Sequence, residues 1–242
     1  MLKFDRPTLV TLTAPTCSGK SYLLNKLTGA GVGRIVSTTT RQQRDGEIEG
    51  IDYHFISVDE SKELEAANAF FELIEFRSTR YGVTRGEMDG KMRGEFAPAV
   101  VLEPKGLAIY EQKCREHGWD IYKVYVHTTE NERIRRLVKR TTDEVLVNCT
   151  SFTTRSARYD AAFSSVAKEK YESVVPKIIA THTDRLLSIT GEERTWSNTT
   201  LWDAIVPGDD SEKALGMLLQ GVTWRNRQRR EPKAFGAVKL PL

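Results

Sequence analysis

The chain has 242 residues, of which 39% are hydrophobic and 29% charged, and its 36 basic and 33 acidic side chains leave a net charge of only +3. This composition is typical of a globular protein, and the small net charge gives no overall attraction to nucleic acid or to a membrane. No apolar run approaches the roughly 20 residues of a membrane-spanning helix. The three cysteines have neither metal-like nor paired spacing, which favours a reducing compartment. We therefore expect a cytoplasmic protein with no membrane partner and no specific nucleic-acid partner.

Apolar β-branched runs alternate with helical patterns along the chain. Residues 8–13 indicate a buried strand, 20–27 a helix, 34–37 the start of a short strand, and 60–76 a helix followed by a strand. Further strands are predicted at 99–102, 120–127 and 203–206, and further helices at 106–117, 129–140, 152–170 and 209–220. This alternation predicts an α/β fold with a mainly parallel sheet flanked by helices. The stretch from Trp224 to Leu242 is expected to pack poorly.

A phosphate-binding loop pattern separates the first strand from the first helix. It runs Ala14-Pro15-Thr16-Cys17-Ser18-Gly19-Lys20-Ser21 and departs from the usual pattern where Ala14 replaces glycine. Backbone N–H groups of such a loop surround a β-phosphate, and the following helix points its positive end at the anion. We expect Lys20 to neutralise charge shared by the β- and γ-phosphates and Ser21 to bind Mg²⁺. The loop predicts a bound nucleotide without identifying the acceptor.

The polar segment over residues 36–55 carries enough donors to hold a dianionic phosphate. These are a serine, two arginines three residues apart and a tyrosine, namely Ser37, Arg41, Arg44 and Tyr53. Taken alone, they are equally compatible with a solvated polar loop. Their order, with Gly46-Glu47 and Asp52-Tyr53-His54-Phe55, resembles the GMP-binding segment of the guanylate kinase family.

The resemblance to guanylate kinases continues along the chain. It includes Phe70-Phe71-Glu72, Tyr81-Gly82, Leu102-Glu103, Gly106, the Arg-rich stretch 132–140 and residues 203–215. It covers roughly residues 8–170 and 201–220 and implies a P-loop kinase with a small acceptor-binding lobe and a helical lid. The implied organisation is a core P-loop domain (1–36, 97–128 and 201–221), a nucleoside monophosphate-binding lobe (37–96), a lid (129–170), an insertion (171–200) and a basic C-terminal tail (222–242).

The resemblance also implies a role for individual residues. The acceptor phosphate would be held by Ser37, Arg41, Arg44, Tyr53 and Tyr81. Glu72 would accept hydrogen bonds from guanine N1–H and N2–H₂, a donor pair that adenine lacks. Arg136, Arg140 and Arg158 correspond to lid arginines, which with Lys20 and Arg41 would stabilise the transferring phosphoryl group. Arg133 and Arg135 are expected to be ordinary exposed charges. No general base is required, because the acceptor phosphate is already ionised.

Several positions depart from the family pattern. Cys17 replaces a loop glycine, and we expect its φ to be negative, since glycine alone tolerates positive φ at no cost. Val83 occupies the place of a base-reading hydroxyl residue, for which Thr84 is the candidate substitute. Val101 and Glu103 stand where the family has two aspartates, which leaves one acidic group near the ribose or Mg²⁺.

The function implied by the resemblance is transfer of the γ-phosphoryl group of ATP to GMP or dGMP. One alternative is a kinase for another or a modified base, which the changes at Val83 and Val101 motivate. A second alternative is an inactive interaction module, although such modules typically have a degraded phosphate loop and Lys20 and Ser21 are present here. The sequence leaves open the choice between ribose and deoxyribose, and a homodimer is one option for the assembly.

Overall fold

A computed structural model describes residues 6–30, 32–43, 46–76, 78–93, 97–102, 104–156, 172–183, 186 and 201–230. Three predicted site residues, Arg44, Glu103 and Arg158, lie outside these ranges, and their roles stay predictions. The chain divides into two compact units, the first with Met1–Ala14, Gly19–His127 and Thr200–Leu242, and the second with Pro15–Ser18 and Thr128–Thr199. Within the described ranges, no helix is long and apolar enough to cross a membrane.

The elements follow one another in this order: β1 (Thr8–Thr13), α1 (Lys20–Gly29), β2 (Gly33–Arg34), β3 (Thr38–Thr39), β4 (His54–Phe55), α2 (Val58–Ala66), β5 (Phe70–Phe76), β6 (Thr79–Thr84), α3 (Arg85–Met92), β7 (Pro98–Leu102), α4 (Pro104–Glu116), β8 (Asp120–His127), α5 (Glu130–Ser156), α6 (residues 172–183), β9 (Ala204–Pro207) and α7 (Ser211–Arg230).

Five parallel strands in the order β2-β7-β1-β8-β9 form the main sheet of the first unit. The central strand β1 is buried along its whole length, as expected for a parallel strand covered on both faces. On one face, leucines of α1 and α7 pack against Val10, Val124 and Val206. On the other face, α3 and α4 pack against Leu9 and Val100. The predicted α/β class and the mainly parallel sheet are confirmed.

A second sheet, in the order β4-β3-β6-β5, builds the lobe predicted to bind the acceptor. Its strands β3, β6 and β5 are antiparallel neighbours, whereas β3 and β4 are parallel. Gly82 is required in β6, because a Cβ there would lie 2.5 Å from the carbonyl oxygen of Glu72. Phe71 and Val83 from this sheet belong to the same apolar cluster as Leu9 and Val100. The lobe and the main sheet therefore share one core.

Two helices extend further than the sequence predicts. Where helices were expected at 129–140 and 152–170, a single helix, α5, runs from Glu130 to Ser156. The hydroxyls of Thr141 and Thr142, in the predicted break, donate to the carbonyls one turn earlier and so stay within the helix.

The helix α7 ends ten residues beyond the predicted end at residue 220. Its extension contacts the main sheet, since Val222 is 4% exposed and Arg225 lies 3.3 Å from Asp203 and over the ring of Tyr122. The expectation of poor packing from Trp224 onward is therefore wrong for Arg225. Gly221 favours this packing, because a Cβ there would lie 2.2 Å from the Tyr122 hydroxyl.

The second unit contains α5 and α6, where α6 lies in the predicted insertion. Leu137 of α5 and Val175 and Ile178 of α6 are buried. His182 is also buried and lies 2.9 Å from Glu144 through its Nε2 atom. The helical part of the insertion thus has a buried apolar face of its own.

The end of α7 supplies a test of its contribution to stability. A chain that ends at Gly221 loses the buried Val222 and the Arg225–Asp203 ion pair, whereas a chain that ends at Arg230 keeps both. Burial of a valine contributes about 2 kcal/mol, and a protein of this size loses ~2–4 °C in Tm for each kcal/mol. We expect the Gly221 form to melt ~4–8 °C below the Arg230 form in a thermal scan. Equal melting temperatures would show that residues 222–230 do not stabilise the core.

Candidate active site

The predicted phosphate loop leaves the carboxyl end of β1 at Ala14 and enters α1 at Lys20. Gly19, the N-cap of α1, has a left-handed backbone with φ 91°. It has no side chain that could accept a hydrogen bond from the first N–H groups of the helix. The first turn of α1 contains no acidic residue. The positive end of this helix therefore meets no carboxylate from its own first turn, which suits an anion-binding site.

The backbone at Cys17 corrects an expectation from the sequence. Its φ is +63°, in the left-handed region, where a negative value was expected. An L-residue in this region carries a cost of roughly 1–2 kcal/mol that glycine does not have. The backbone at residue 17 thus has a conformation that glycine adopts readily, and contacts of the loop have to offset the cost of this conformation for cysteine.

The two polar residues at the start of α1 are well placed for the roles predicted for them. The Lys20 ammonium donates to the carbonyl of Ala14, so the side chain turns back towards the end of β1. Ser21 is exposed at the first turn, and its hydroxyl oxygen is a ligand of the kind that Mg²⁺ prefers. The residues present therefore fit a magnesium nucleotide.

Three side chains from residues 128–136 bind the phosphate loop within the second unit. Thr128 Oγ1 donates to the carbonyl of Ser18 at 3.0 Å, Arg133 Nε to Thr16 at 3.0 Å, and an Arg136 guanidinium nitrogen to Cys17 at 3.3 Å. The prediction of an exposed Arg133 is wrong, since this residue is 0% exposed. The reason is its long side chain, which extends from the buried face of α5 to a backbone acceptor.

The other arginines of α5 differ in their surroundings. Arg136 is partly buried and lies 2.8 Å from Glu132, which also binds Arg135. Hydrogen bonds from Arg135 and then Arg136 lower the pKa of the Glu132 carboxyl to about 2. Arg135 is exposed as predicted, and Arg140 is exposed one turn beyond Arg136.

In the acceptor lobe, the structure brings together three of the residues predicted to hold the phosphate. The guanidinium of Arg41 lies 5.4 Å from the ring centroid of Tyr53, and the rings of Tyr53 and Tyr81 are 6.2 Å apart. Glu47 holds the Arg41 guanidinium at 2.8 Å. Ser37 precedes β3, and its carbonyl accepts the N–H of His54, next to Tyr53. The result is a cation beside the Tyr53 ring, with the Tyr81 ring on Tyr53, in one lobe.

The predicted base-reading residue, Glu72, lies on β5 and is 9% exposed. The Tyr110 hydroxyl of α4 donates to its carboxylate at 3.4 Å. Burial raises the pKa of the Glu72 carboxyl to about 7, while the Tyr110 hydrogen bond and the Lys113 charge act in the opposite direction. Lys113 donates to the carbonyl of Phe71. Tyr110 was not among the residues predicted from the sequence, although a phenol on the core face of a helix needs a hydrogen-bond partner and so indicates a polar group nearby.

The two residues at the end of β6 have structural partners. Val83 is buried in the apolar cluster and pairs across the strands with Glu72. Thr84 is the N-cap of α3, where its hydroxyl oxygen accepts the N–H of Glu87 at 3.2 Å. A contact of either residue with a base stays a prediction, and the Thr84 hydroxyl proton is the donor that such a contact would use.

The raised pKa of Glu72 predicts how stability depends on pH. The unfolded carboxyl ionises near 4.5 and the folded one near 7, so the folded state keeps a proton that the unfolded state releases between these values. Stability of the wild type should therefore fall as pH rises through this window, by up to about 3 kcal/mol. Glu72→Gln lacks this penalty, so its stability relative to wild type should rise between pH 5 and pH 8 in urea unfolding.

The control for this measurement is Glu75→Gln, which removes an exposed carboxylate from the same strand. A difference between Glu72→Gln and wild type that stays constant from pH 5 to pH 8 would contradict the assignment.

Comparisons with known proteins agree with these features. Guanylate kinases from Anaeromyxobacter dehalogenans and Maricaulis maris are 40% identical over 83 residues and 32% identical over 142 residues, and these matches cover 34% and 49% of this chain. They span 37% and 65% of the relatives, less than two thirds of their length. A guanylate kinase from Campylobacter jejuni is 26% identical over 71% of this chain and 88% of its own.

The solved structures and the family profiles extend the comparison to most of the chain. The crystal structure of a guanylate kinase from Anaplasma phagocytophilum superposes with a TM-score of 0.57 at 20% identity, over 93% of this chain and 89% of that one, and so supports the fold. The sequence profile described as guanylate kinase matches residues 6–177, well over half of the chain. The protein belongs to the guanylate kinase family.

Proposed function

We propose that the protein transfers the γ-phosphoryl group of ATP to GMP or dGMP, giving ADP and the nucleoside diphosphate. The observation that carries this proposal is the predicted acceptor lobe, which contains a nearly buried carboxylate, Glu72, together with an arginine beside the Tyr53 ring and a second phenol, Tyr81, next to Tyr53. The carboxylate can accept the N–H donors of a guanine base, and the arginine and the phenols can donate to a phosphate dianion.

At the acceptor phosphate, Arg41 would supply charge-assisted hydrogen bonds, and the hydroxyls of Tyr53 and Tyr81 would donate beside it. Glu47 already holds the guanidinium in one orientation, so little side-chain freedom is lost when the phosphate binds. Ser37 and Arg44 complete the proposed set. These contacts orient the acceptor oxygen for attack on the γ-phosphorus.

At the base, the ionised Glu72 carboxylate would accept both N1–H and N2–H₂ of guanine. Tyr110 donates to one carboxylate oxygen and so favours the ionised form, which binding requires. Adenine would leave the buried carboxylate with no donor from the base, at a cost on the order of 1–3 kcal/mol or more for a charged group. This difference supports selection of guanine over adenine.

At the donor nucleotide, the backbone N–H groups of residues 16–19 and the N-terminus of α1 would surround the phosphates, with Lys20 moving from the Ala14 carbonyl to the β- and γ-phosphate oxygens. Ser21 would hold Mg²⁺, which would neutralise charge on the phosphates. Arg136, Arg140 and Arg158 would stabilise negative charge on the equatorial oxygens during transfer. Catalysis then consists of positioning and charge stabilisation, with no general base.

We also propose that the protein acts in the cytoplasm, since Cys17 and Cys114 are free thiols. Burial raises the pKa of the Cys114 thiol to about 12, which keeps it protonated and unreactive. A homodimer is the assembly to test by light scattering at the protein concentration used for kinetics.

The first experiment is a coupled phosphotransfer assay over ribo- and deoxyribonucleoside monophosphates of all common bases, with Lys20→Met beside the wild type. We expect GMP or dGMP to be the preferred acceptor, and Lys20→Met to lower kcat/KM by at least ~100-fold, a loss of about 2.7 kcal/mol of transition-state stabilisation. The matched control is Lys26→Met, which removes an exposed lysine of the same helix. A wild type that phosphorylates none of these acceptors would overturn the proposal, and a preference for another base would redirect it to that nucleotide.

Arg41 should act on the acceptor alone. Arg41→Ala removes a charged donor from the proposed phosphate site and should raise the KM for GMP roughly 10- to 100-fold, while the KM for ATP stays within about twofold. The control is Arg80→Ala, since the Arg80 guanidinium lies in the same lobe but binds Ser61 and Glu65. An equal loss of affinity for both substrates would remove Arg41 from the acceptor site.

A further inference from the structure

Three successive carbonyl groups of the phosphate loop accept side-chain hydrogen bonds from one short segment. The carbonyls are those of Thr16, Cys17 and Ser18, and the donors are Arg133, Arg136 and Thr128. The loop residues 15–18 group with this segment and with α5 in one compact unit. The contact therefore fixes three consecutive peptide planes.

The orientation of these carbonyls determines where the loop N–H groups point. A trans peptide is planar, with the carbonyl and the next residue's N–H on opposite sides, and the described chain contains no cis peptide. A carbonyl of Thr16 held towards Arg133 thus turns the N–H of Cys17 away from α5. The same holds for the next two peptides, which turn the N–H groups of Ser18 and Gly19 away. Successive N–H groups with a left-handed residue among them form an anion-binding nest.

Arg133 has features that an exposed helix charge lacks. It is 0% exposed and lies one helical turn before the buried Leu137, so it belongs to the same face of α5. Burying a guanidinium is unfavourable unless its hydrogen bonds are satisfied. A hydrophobic residue would fill this helix face without that cost but could not donate to the Thr16 carbonyl.

Cys17 gives this contact a specific task. With φ +63°, it holds a backbone conformation that is costly for any residue with a Cβ. The peptide on its N-terminal side is bound by Arg133, and the peptide on its C-terminal side is bound by Arg136. The two hydrogen bonds thus hold both peptides that would have to rotate if Cys17 relaxed to negative φ.

We propose that Arg133 is a positioning residue for the donor nucleotide, which holds the Thr16–Cys17 peptide in the phosphate-binding orientation and offsets the strain of a cysteine at this place. The proposal rests on the proposed function, since it takes the ligand of the loop to be ATP. Arg133 acts through the loop backbone and touches no reacting atom. Loss of Arg133 lowers the fraction of molecules whose loop can bind phosphate, and the apparent affinity falls by the same factor.

The test compares Arg133→Met, an unbranched side chain that replaces the apolar part of arginine but has no donor, with wild type and with Arg135→Met, a change to an exposed arginine of the same helix. We expect Arg133→Met to raise the Kd and KM for ATP roughly 10- to 100-fold, as for loss of a charged hydrogen-bond donor, with the KM for GMP within about twofold. Arg133→Lys should recover part of the loss. Arg135→Met should change neither constant.

Cys17→Gly supplies the second arm. Glycine adopts positive φ without strain, so Arg133→Met in the Cys17→Gly protein should raise the Kd for ATP by a smaller factor than in the wild-type background. Equal factors in the two backgrounds would overturn the link to Cys17. If Arg133→Met does not fold, the Arg133→Lys pair measured in both backgrounds carries the same comparison.

The outcomes separate the inference from the proposed function. A wild type that binds ATP, beside an Arg133→Met protein with a lower Tm but an unchanged Kd for ATP, overturns the inference alone and makes Arg133 a packing residue. A parallel loss of affinity for ATP and GMP also overturns it. A wild type that binds no ATP overturns the proposed function together with the inference.

Discussion

The direction in which the backbone of residues 16–19 points its N–H groups is the constraint on which the nucleotide site depends. The parallel sheet delivers this loop at the carboxyl end of β1, and α1 begins directly after it with an uncapped N-terminus. Neither element by itself fixes the peptide planes between them. That task falls to side chains of residues 128–136, which bind the loop carbonyls. A donor site thus depends on a segment more than a hundred residues away in sequence.

In the predicted acceptor lobe the constraint is different, because the Glu72 carboxylate is almost fully buried in apolar surroundings and would have to ionise there. Glu72 lies next to Tyr110 of α4. Burial raises the pKa of its carboxyl to about 7, so the protonated and ionised forms are similarly populated at neutral pH. The Tyr110 hydrogen bond limits this shift. In the proposed function, a base with donors at the right places would restore the ionised form, so that the cost of burying Glu72 would become selectivity for such a base.

Much of the fold was predictable from the sequence because buried strands and the loop have strong local patterns. β1, α1, β7, α4 and β8 lie within two or three residues of their predicted bounds. No element was predicted for residues 79–92, which form β6 and α3. Two glycines weaken the helix signal of α3, and the helix forms because Thr84 caps it and Met88 and Met92 are buried.

The remaining differences also arise from contacts between distant residues. The helix α7 was predicted to end just before Gly221, yet it continues through this glycine to Arg230. The glycine is explained by packing, since the Tyr122 hydroxyl occupies the space that a Cβ at residue 221 would need. The charge pattern on α5 favours exposure of Arg133, whereas in the structure its buried guanidinium donates to the Thr16 carbonyl, more than a hundred residues away in sequence. Among the described candidate site residues, the resemblance to guanylate kinases supplied Arg41, Tyr53, Tyr81 and Glu72, whereas Tyr110 and Arg133 required the structure.

Two arginines of the candidate site are each paired with a carboxylate, and this pairing affects both the affinity and the specificity for an anion. Arg41 is held by Glu47 and Arg136 by Glu132, each at 2.8 Å. Such a carboxylate orients the guanidinium before a ligand arrives, but it also competes with the ligand for the same donors. A monoanion gains little by replacing it, whereas a phosphate dianion offers more charge and more acceptor oxygens. Each of these guanidinium groups is thus oriented and partly neutralised by a carboxylate of the chain itself, which agrees with the net charge of only +3.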